Sequence, residues 1–331
     1  MTETSVRPLV VLLSSLADLG REHLVPLEER FGLVERFDLD ATHDEAALVA
    51  GLAGAWAAVA GSETYTERVL SSLPELRLII RVGVGFDAID VAAATERGVA
   101  VATTPDANSD GVADLTLALT LACLRRIAVG DRHLRAGGWR LPGLSGDLAE
   151  ATVGVVGLGR VGRKVVLRLA GFGCRILAYE PFPDREFCAE HAVELADLGT
   201  LLPRVDVLTI HVPLTDETRG LIGASELARL KPSAIVVNTS RGAVLDEPAL
   251  VGALAHGRLA GAALDVYQHE PLDRAHPLTT LDNVVLSAHT ASFTRLSVER
   301  MLGSVSTSLT AALAGGLPLG CVNPEAWSAT G

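Results

Sequence analysis

The sequence is poor in several features that mark particular classes of protein. Only four of its 331 residues are cysteine and none forms a C-x-x-C pair, so neither a disulfide framework nor a metal site is expected. No apolar run approaches the roughly 20 residues of a membrane-spanning helix. Acidic residues outnumber basic ones by 40 to 28, which argues against a nucleic-acid surface. We therefore expect a cytoplasmic protein that holds no metal and binds neither membrane nor nucleic acid.

Predicted strands and helices alternate along the chain, whose length suggests two domains of ordinary size. Apolar runs typical of buried parallel strands recur in the first hundred residues, at 7–13, 55–60, 76–82 and 99–103. Helices are predicted between them, the longest over 16–31, and one further long helix over 109–135. Such alternation predicts βαβ units around a parallel sheet, and the same pattern resumes after residue 150.

The most informative stretch is Ala151–Glu180, in which a strand, a glycine turn, a helix and a second strand follow one another. Gly157 permits a tight turn out of the first strand, and Gly159 leaves room for a pyrophosphate to approach the backbone. Gly162 allows the following helix to pack closely on the strand. The start of that helix offers free N–H groups and the positive end of a helix dipole to phosphates. This context predicts a dinucleotide site.

An acidic residue completes the pattern. Glu180 lies 18 residues after Gly162, at the end of the second predicted strand, where a carboxylate can accept hydrogen bonds from the adenosine ribose. The same charge would repel a 2′-phosphate, so we expect NAD rather than NADP. A glycine-rich turn in some other α/β protein would explain Gly162, but not three spaced glycines together with Glu180.

Ligands of open parallel sheets bind beyond the carboxyl ends of the strands. Three ionisable residues emerge at that edge of the second domain: Arg241 follows 234–238, Glu270 follows 260–265, and His289 follows 284–287. An arginine can hold a carboxylate and polarise the neighbouring carbonyl. A histidine can exchange a proton with the carbonyl oxygen, and a glutamate on its other nitrogen would favour the protonated ring. The set suits hydride transfer to a 2-keto acid.

Other assignments remain open at this point. A single arginine, glutamate or histidine in a loop is usually solvated or caps a helix. His211 and His269 also follow predicted strands and compete for the catalytic role. We interpret His211 as lining the adenosine side of the cofactor site, and we expect His269 to point away from Glu270.

Several motifs together resemble the D-isomer-specific 2-hydroxyacid dehydrogenase family. They are GLGRVG at 157–162, HVPLTDET at 211–218, NTSRGAVLDEPAL at 238–250, ALDVYQHEP at 263–271, SAHTASFT at 287–294, RVGVGFDAIDV at 81–91 and TTPDANSDGVADLTLALTLA at 103–122. The resemblance implies two Rossmann-like α/β domains with parallel sheets, one flavodoxin-like and one dinucleotide-binding, with a cleft between them. It also implies a discontinuous substrate domain, 1–103 plus 291–331, around an NAD-binding domain at 104–290.

The resemblance further implies a role for each matching residue. The catalytic residues would be Arg241, Glu270 and His289. The NAD contacts would be Gly157, Gly159, Arg160, Val161, Gly162, Glu180, His211, Val212, Pro213, Thr218, Thr239, Ser240 and Asp265. The substrate carboxylate would bind at Arg81, Val82, Gly83, Val84 and Gly85, although two glycines around one valine also fit a plain strand-to-helix turn. Members are usually homodimers joined through the NAD-binding domain.

The pattern leaves the substrate open among phosphoglycerate dehydrogenase, hydroxypyruvate or glyoxylate reductase and a pathway-specific 2-hydroxyacid enzyme. Ala60 and Gly61 occupy the place where the first of these would carry a phosphate-binding arginine, which argues against a phosphorylated substrate. An NADH-binding sensor resembling a co-repressor, with little turnover, is an alternative of another class. An enzyme that oxidises formate or phosphite ranks last.

Overall fold

The computed structural model describes residues 7–327. These residues form twelve β-strands: β1 Leu9–Leu12, β2 Gly32–Glu35, β3 Ala57–Ala60, β4 Leu78–Arg81, β5 Ala100–Ala102, β6 Thr152–Val156, β7 Arg175–Tyr179, β8 Val193–Leu195, β9 Val207–Ile210, β10 Ile235–Asn238, β11 Gly261–Leu264 and β12 Val284–Leu286. They also form thirteen α-helices: α1 Leu16–Leu19, α2 Glu45–Gly51, α3 Glu67–Ser71, α4 Val91–Glu96, α5 Ser109–Leu124, α6 Ile127–Arg135, α7 Arg160–Leu169, α8 Arg185–Glu190, α9 Leu198–Leu201, α10 Ala224–Leu227, α11 Glu247–Ala255, α12 Arg295–Leu313 and α13 Pro324–Trp327.

The chain divides into two compact units. The first unit comprises residues up to Asn108 together with those from Ser292 onward, and the second comprises Ser109–Ala291. The first unit is built on a five-stranded parallel sheet in the order β2-β1-β3-β4-β5, the flavodoxin-like order. Its register pairs Val10 with Ala57, and Ala60 with Arg81. The strand order reverses between β1 and β3, and such a switch point is where open α/β sheets bind ligands.

Both faces of the first sheet are covered by apolar side chains, because successive residues of a strand point to opposite faces. Val10 and Leu12 of β1 belong to one buried cluster, and Val11 belongs to another. Helix α12 covers the first face and contributes Met301 and Leu302, which are fully buried. The unit is therefore completed by a helix that lies far along the chain from its strands.

The segment after α12 packs onto the edge strand β5. Cys321 forms an antiparallel bridge with Ala102. The side-chain oxygen of Asn323 accepts a 2.7 Å hydrogen bond from Val101 N, and its amide donates to Val99 O at 3.0 Å. The predicted first domain also includes residues 328–331, which lie outside the described residues.

The second unit is built on a seven-stranded parallel sheet in the order β12-β11-β10-β9-β6-β7-β8. Here too the strands are buried on both faces: Val236 and Leu208 face one core cluster, whereas Val237 and Val207 face the other. The switch point lies between β6 and β9, whose carboxyl ends carry the glycine turn and His211. The predicted fold class, two α/β domains with parallel sheets, is confirmed.

Two predicted helices are wrong in their extent. The segment 16–31 is not one helix, because α1 ends at Leu19, just before Gly20, and two single 3₁₀ turns follow. A side chain at Gly20 would overlap Leu302 of α12, and Pro26 has no N–H to continue a helix. The predicted helix 109–135 is two helices, α5 and α6, because Arg126 between them adopts a left-handed φ of 55°.

Within residues 7–327, no helix combines the length and apolar character needed to cross a bilayer. The cytoplasmic location stays a prediction.

Candidate active site

The glycine turn after β6 is fixed by close packing at two of its three glycines. Gly157 has a φ of +96°, and a Cβ there would lie 2.9 Å from the backbone of His211. A Cβ at Gly162 would overlap the carbonyl oxygen of Gly157. At Gly159, by contrast, a Cβ would meet no described atom within 4 Å. The turn thus packs tightly on the protein side and stays open at Gly159, as an approaching pyrophosphate requires.

Helix α7 begins directly after the open glycine. The backbone N–H groups of Arg160, Val161 and Gly162 donate to no other described residue, as is usual in a first helical turn. Glu180 is held beside them, because its carboxylate accepts hydrogen bonds from Leu158 N at 2.8 Å and Phe182 N at 3.1 Å. Free N–H donors at a helix start, with a carboxylate beside the turn, fit the phosphates and ribose of a dinucleotide.

His211 adds an orphaned polar atom to this surface. Its Nε2 lies 2.9 Å from the Thr209 hydroxyl, but its Nδ1 is buried with no hydrogen-bond partner among residues 7–327. Burial lowers the pKa of His211 to about 3, so the ring is neutral at physiological pH. A neutral ring nitrogen without a partner suits a ligand hydroxyl better than a role in proton transfer.

The rest of the predicted cofactor loop is largely occupied by its own contacts. The Thr218 hydroxyl donates to Pro213 O at 2.6 Å and accepts from Thr215 N at 2.8 Å. The Val212 side chain is buried in the core of the unit. The loop therefore offers mainly its backbone and the exposed ring of Pro213 to a ligand.

The loop after β10 carries Arg241. The Arg241 Nη1 donates to Ser240 O at 2.8 Å, and its own carbonyl accepts from the Asn238 amide at 2.9 Å. Gly242 packs so closely on the loop after β11 that a Cβ would overlap the Tyr267 backbone. This contact keeps Arg241 next to the segment that carries Glu270. Thr239 is tied down separately, by a buried 2.9 Å contact between its hydroxyl and that of Thr116.

His289 and Glu270 of the predicted catalytic set are in direct polar contact. His289 Nδ1 lies 2.6 Å from Glu270 Oε2, and Tyr267 N donates to Glu270 Oε1 at 2.9 Å. Burial would raise the pKa of Glu270, but the hydrogen bond and charge of His289, helped by the charge of Arg241, lower it below its ordinary value. Since an ionised carboxylate only accepts, His289 Nδ1 is the donor. Its Nε2 has no partner among the described residues, and the ring is one-third exposed.

Asp265 fixes the loop that carries His289. His289 has a left-handed φ of 52°, which costs a non-glycine residue about 1 kcal/mol or more. Its N–H donates to Asp265 O at 2.8 Å, and the buried Asp265 carboxylate accepts from Thr290 N at 2.9 Å and Ala291 N at 3.1 Å. These three bonds fix the backbone that directs the imidazole toward Glu270.

Three residues that support the site, Tyr267, Glu247 and His276, were not predicted from the sequence. The Tyr267 hydroxyl donates to Ser287 O at 2.6 Å and ties the β11 loop to the β12 end. The buried Glu247 accepts from Gln268 N at 3.1 Å and pairs with His276 at 3.3 Å. Only the position of Tyr267 inside the strand-end motif could have pointed to it. His269 is exposed, and its direction away from Glu270 stays a prediction.

The predicted substrate loop belongs to the first unit and follows β4. Gly83 is anchored, because its N–H donates to the Thr104 hydroxyl at 2.8 Å and its carbonyl accepts from Thr104 N at 2.9 Å. Arg81 folds back and donates to Val82 O. The N–H groups of Val84 and Gly85 donate to no described residue. Two such donors in a fixed turn can hold a carboxylate.

The chain is similar to proteins of known family. Residues 117–291 match the family model "D-isomer specific 2-hydroxyacid dehydrogenase, NAD binding domain". A glyoxylate reductase of Korarchaeum cryptofilum is 42% identical over 262 residues, 78% of this chain and 79% of that protein. A D-3-phosphoglycerate dehydrogenase of Archaeoglobus fulgidus is 41% identical over 265 residues, which are 80% of this chain and 50% of the longer relative.

A solved structure has the same fold throughout. The glyoxylate reductase from Paecilomyes thermophila superposes with a TM-score of 0.83 at 29% identity, covering 96% of this chain and 98% of its own.

Proposed function

The chain belongs to the D-isomer specific 2-hydroxyacid dehydrogenase family, and from this premise we propose that it interconverts a D-2-hydroxy acid and its 2-keto acid with NAD. The observation that carries the proposal is the 2.6 Å contact between His289 and Glu270 beside Arg241, on the sheet that bears the glycine turn. The second unit would bind the cofactor. The first, residues 1–103 and 291–331 in the predicted boundaries, would bind the substrate.

The residues around the glycine turn are those expected to hold the dinucleotide. We propose that the N–H groups of Arg160 to Gly162 bind the pyrophosphate and that Glu180 accepts hydrogen bonds from the adenosine ribose. A carboxylate at this place disfavours a 2′-phosphate, which supports NAD over NADP. When bound, the nicotinamide supplies or accepts the hydride.

His289 is proposed to move the proton. In reduction of a keto acid, Nε2 donates a proton to the carbonyl oxygen, and in oxidation it takes the proton back from the hydroxyl. The ionised Glu270 stabilises the imidazolium through Nδ1 and holds that nitrogen in its protonated form. Asp265 contributes by fixing the strained backbone at His289.

Arg241 and the glycine loop are proposed to hold the substrate. The guanidinium would bind the substrate carboxylate and polarise the neighbouring carbonyl. Within the first unit, the Val84 and Gly85 N–H groups are proposed to bind a substrate carboxylate.

Exposed apolar side chains on α6 and in the loop after it support a homodimer. Ile127, Leu134, Trp139 and Leu144 are all exposed, with 81% of Trp139 and 98% of Leu144 accessible. Contiguous exposed apolar groups are typical of protein interfaces. We propose that α6 and the loop after it are buried between two copies. Light scattering should give about twice the 34.6 kDa chain mass, and Trp139→Ser should shift it toward the monomer.

The direct test is oxidation of NADH with a panel of 2-keto acids: glyoxylate, hydroxypyruvate, pyruvate, 4-methyl-2-oxopentanoate and phosphohydroxypyruvate. Turnover of at least one, with NADH preferred to NADPH, is the expected result. Tight NADH binding with no turnover on the panel would contradict the proposal and favour the sensor alternative.

A further inference from the structure

Two charged side chains hold the backbone of Leu158, the residue between the first two glycines of the turn. The Leu158 N–H donates to the Glu180 carboxylate at 2.8 Å. The Leu158 carbonyl oxygen accepts from Nε of Arg163, in α7, at 3.0 Å. The cofactor contacts proposed above use Glu180 but give no role to Arg163.

The guanidinium of Arg163 is itself fixed by two further contacts. Its Nη1 donates to Asp184 at 2.9 Å, and its Cζ lies 5.2 Å from the centre of the Phe187 ring. Asp184 is the N-cap of α8, and its other carboxylate oxygen accepts from Phe187 N at 3.1 Å. The segment from Glu180 to Asp184 therefore anchors the glycine turn twice, once directly through Glu180 and once through Arg163.

These contacts determine which way the peptides of the turn face. The peptides on both sides of Leu158 are trans, and in a trans peptide the C=O and N–H bonds point in opposite directions. Because the Leu158 C=O points toward Arg163, the N–H of Gly159 points away from it. That N–H donates to no other described residue. The contact with Arg163 thus leaves an unused donor at the glycine of the turn that is open to a ligand.

We propose that Arg163 is a positioning residue for the cofactor. Its Nε–H orients the Leu158–Gly159 peptide so that the Gly159 N–H joins the donors of the first turn of α7 in binding the pyrophosphate. Arg163 acts through this peptide and does not touch the cofactor. The inference rests on the proposed function, because it assumes that the turn binds a dinucleotide.

Three substitutions separate the hydrogen bond of Arg163 from its charge. The side-chain nitrogen of glutamine stands as many bonds from Cα as Nε of arginine, so Arg163→Gln keeps a donor for Leu158 O and loses the charge. Arg163→Lys keeps the charge but has a methylene at that place. Arg163→Met has a methyl group there and loses both the donor and the charge.

The test compares ADP-ribose, which contains the pyrophosphate, with adenosine, which does not. Both are titrated in competition with NADH, followed by NADH fluorescence. For ADP-ribose, the Kd should stay within about twofold of wild type in Arg163→Gln and rise about fivefold in Arg163→Met and Arg163→Lys, the effect of one hydrogen bond. The Kd for adenosine should change less than about twofold in all three variants, because adenosine does not reach the reoriented peptide.

Turnover and a matched variant provide the controls. In Arg163→Met the KM for NADH should rise while kcat stays unchanged, since a contact made equally before and during the reaction is lost. Arg185→Met removes a positive charge from the exposed start of α8 and should leave both Kd values unchanged. If Arg163→Met does not fold, Arg163→Lys makes the same comparison because both lack the donor.

Failure of the inference is distinguishable from failure of the proposed function. If the wild type binds neither NADH nor ADP-ribose, the proposed dinucleotide site is wrong and the inference falls with it. If the wild type binds both, unchanged ADP-ribose affinity in folded Arg163→Met overturns the inference alone. Tight binding by Arg163→Lys with weak binding by Arg163→Gln overturns it too, because the charge would then be what matters. An equal loss of adenosine affinity would show a merely structural role.

Discussion

Glu63 and Glu270 occupy equivalent places in the two units, each in a loop after the carboxyl end of a parallel strand, yet their pKa values move in opposite directions. Burial and the charge of Asp40 raise the pKa of Glu63 from 4.5 to about 7. Glu270 is also partly buried, but the bond from His289 and the charge of Arg241 bring its pKa below 4.5. The charge of the neighbours, rather than burial alone, decides which strand-end carboxylate stays ionised at neutral pH.

The contrast separates two uses of a carboxylate. In the second unit an acid stands next to a base, and we propose that this pair passes a proton to the substrate. In the first unit an acid stands next to another acid, and the pair occupies the backbone donors of its own loops. Each member of the comparison can be altered singly.

The largest loss of activity is expected when His289, the partner of Glu270, is removed. His289→Gln should lower kcat about 1,000-fold, since general acid–base catalysis contributes typically 10²–10⁴. NADH affinity, measured by fluorescence titration, should stay within about twofold because the proposed cofactor contacts are untouched. His269→Gln, at an exposed residue nearby, should be nearly silent. Near-full activity of His289→Gln would refute the assignment.

Removal of Arg241, the other neighbour of Glu270 that lowers its pKa, should have the next largest effect on activity. Arg241→Ala should lower kcat/KM for the keto acid about 100-fold, mainly through KM, because the proposed carboxylate fork is lost. Arg241→Lys should recover only part of it, since an ammonium cannot bind in bidentate fashion. Arg274→Lys at an exposed site is the matched control. An unchanged KM in Arg241→Ala would exclude substrate binding by Arg241.

At Glu63 the expected effect is on stability. Its folded pKa of about 7 lies above the ordinary 4.5, so the folded state is destabilised as the pH rises from 4.5 through 7, by at most about 3 kcal/mol. Glu63→Gln should therefore stabilise the protein at pH 8 by about 2 kcal/mol. The gain is smaller than the full destabilisation because glutamine loses part of the bonding to Gly61 N. The gain should vanish near pH 4.5.

Thermal unfolding at several pH values measures this gain. Glu67→Gln should show no comparable dependence on pH. A Glu63→Gln protein that melts no higher than the wild type at pH 8 would show that the acid pair is not strained.

The smallest effect is expected when Glu270 loses its charge but keeps its shape. Glu270→Gln removes the anion that stabilises the imidazolium, so the pH at which keto acid reduction falls to half should move down. The pH–rate profile between pH 5 and 9 measures this. Glu247→Gln, which alters the loop without touching His289, should change the rate but not the midpoint. An unmoved midpoint in Glu270→Gln would mean that Glu270 only positions the ring.

The sequence was sufficient for the features that depend on local pattern. Apolar runs predicted the two parallel sheets, and spaced glycines with Glu180 predicted the turn, in which Gly157 and Gly162 leave no room for a Cβ. The strand-end rule brought Arg241, Glu270 and His289 to one edge, where the structure has His289 and Glu270 in contact. Their catalytic roles stay predictions.

Features that depend on distant segments could not be predicted. The end of α1 depends on Leu302 of α12 approaching Gly20, and the break after α5 on the left-handed backbone of Arg126. In the support of the His289 loop by Asp265, all three donors are backbone N–H groups, which leave no trace in residue types. The approach of Asp40 to Glu63 joins two loops whose proximity only the strand order reveals.

The cover of the first sheet by α12 has a consequence for synthesis of the chain. The strands of that sheet are made first, but the helix that buries their apolar face follows only after the about 180 residues of the second unit. At about 5–20 residues per second, translation leaves that face bare for roughly 10–40 seconds. We expect the second unit to finish folding on the ribosome before the first unit can be completed. During this period chaperones rather than α12 must shield Val10, Leu12 and their neighbours.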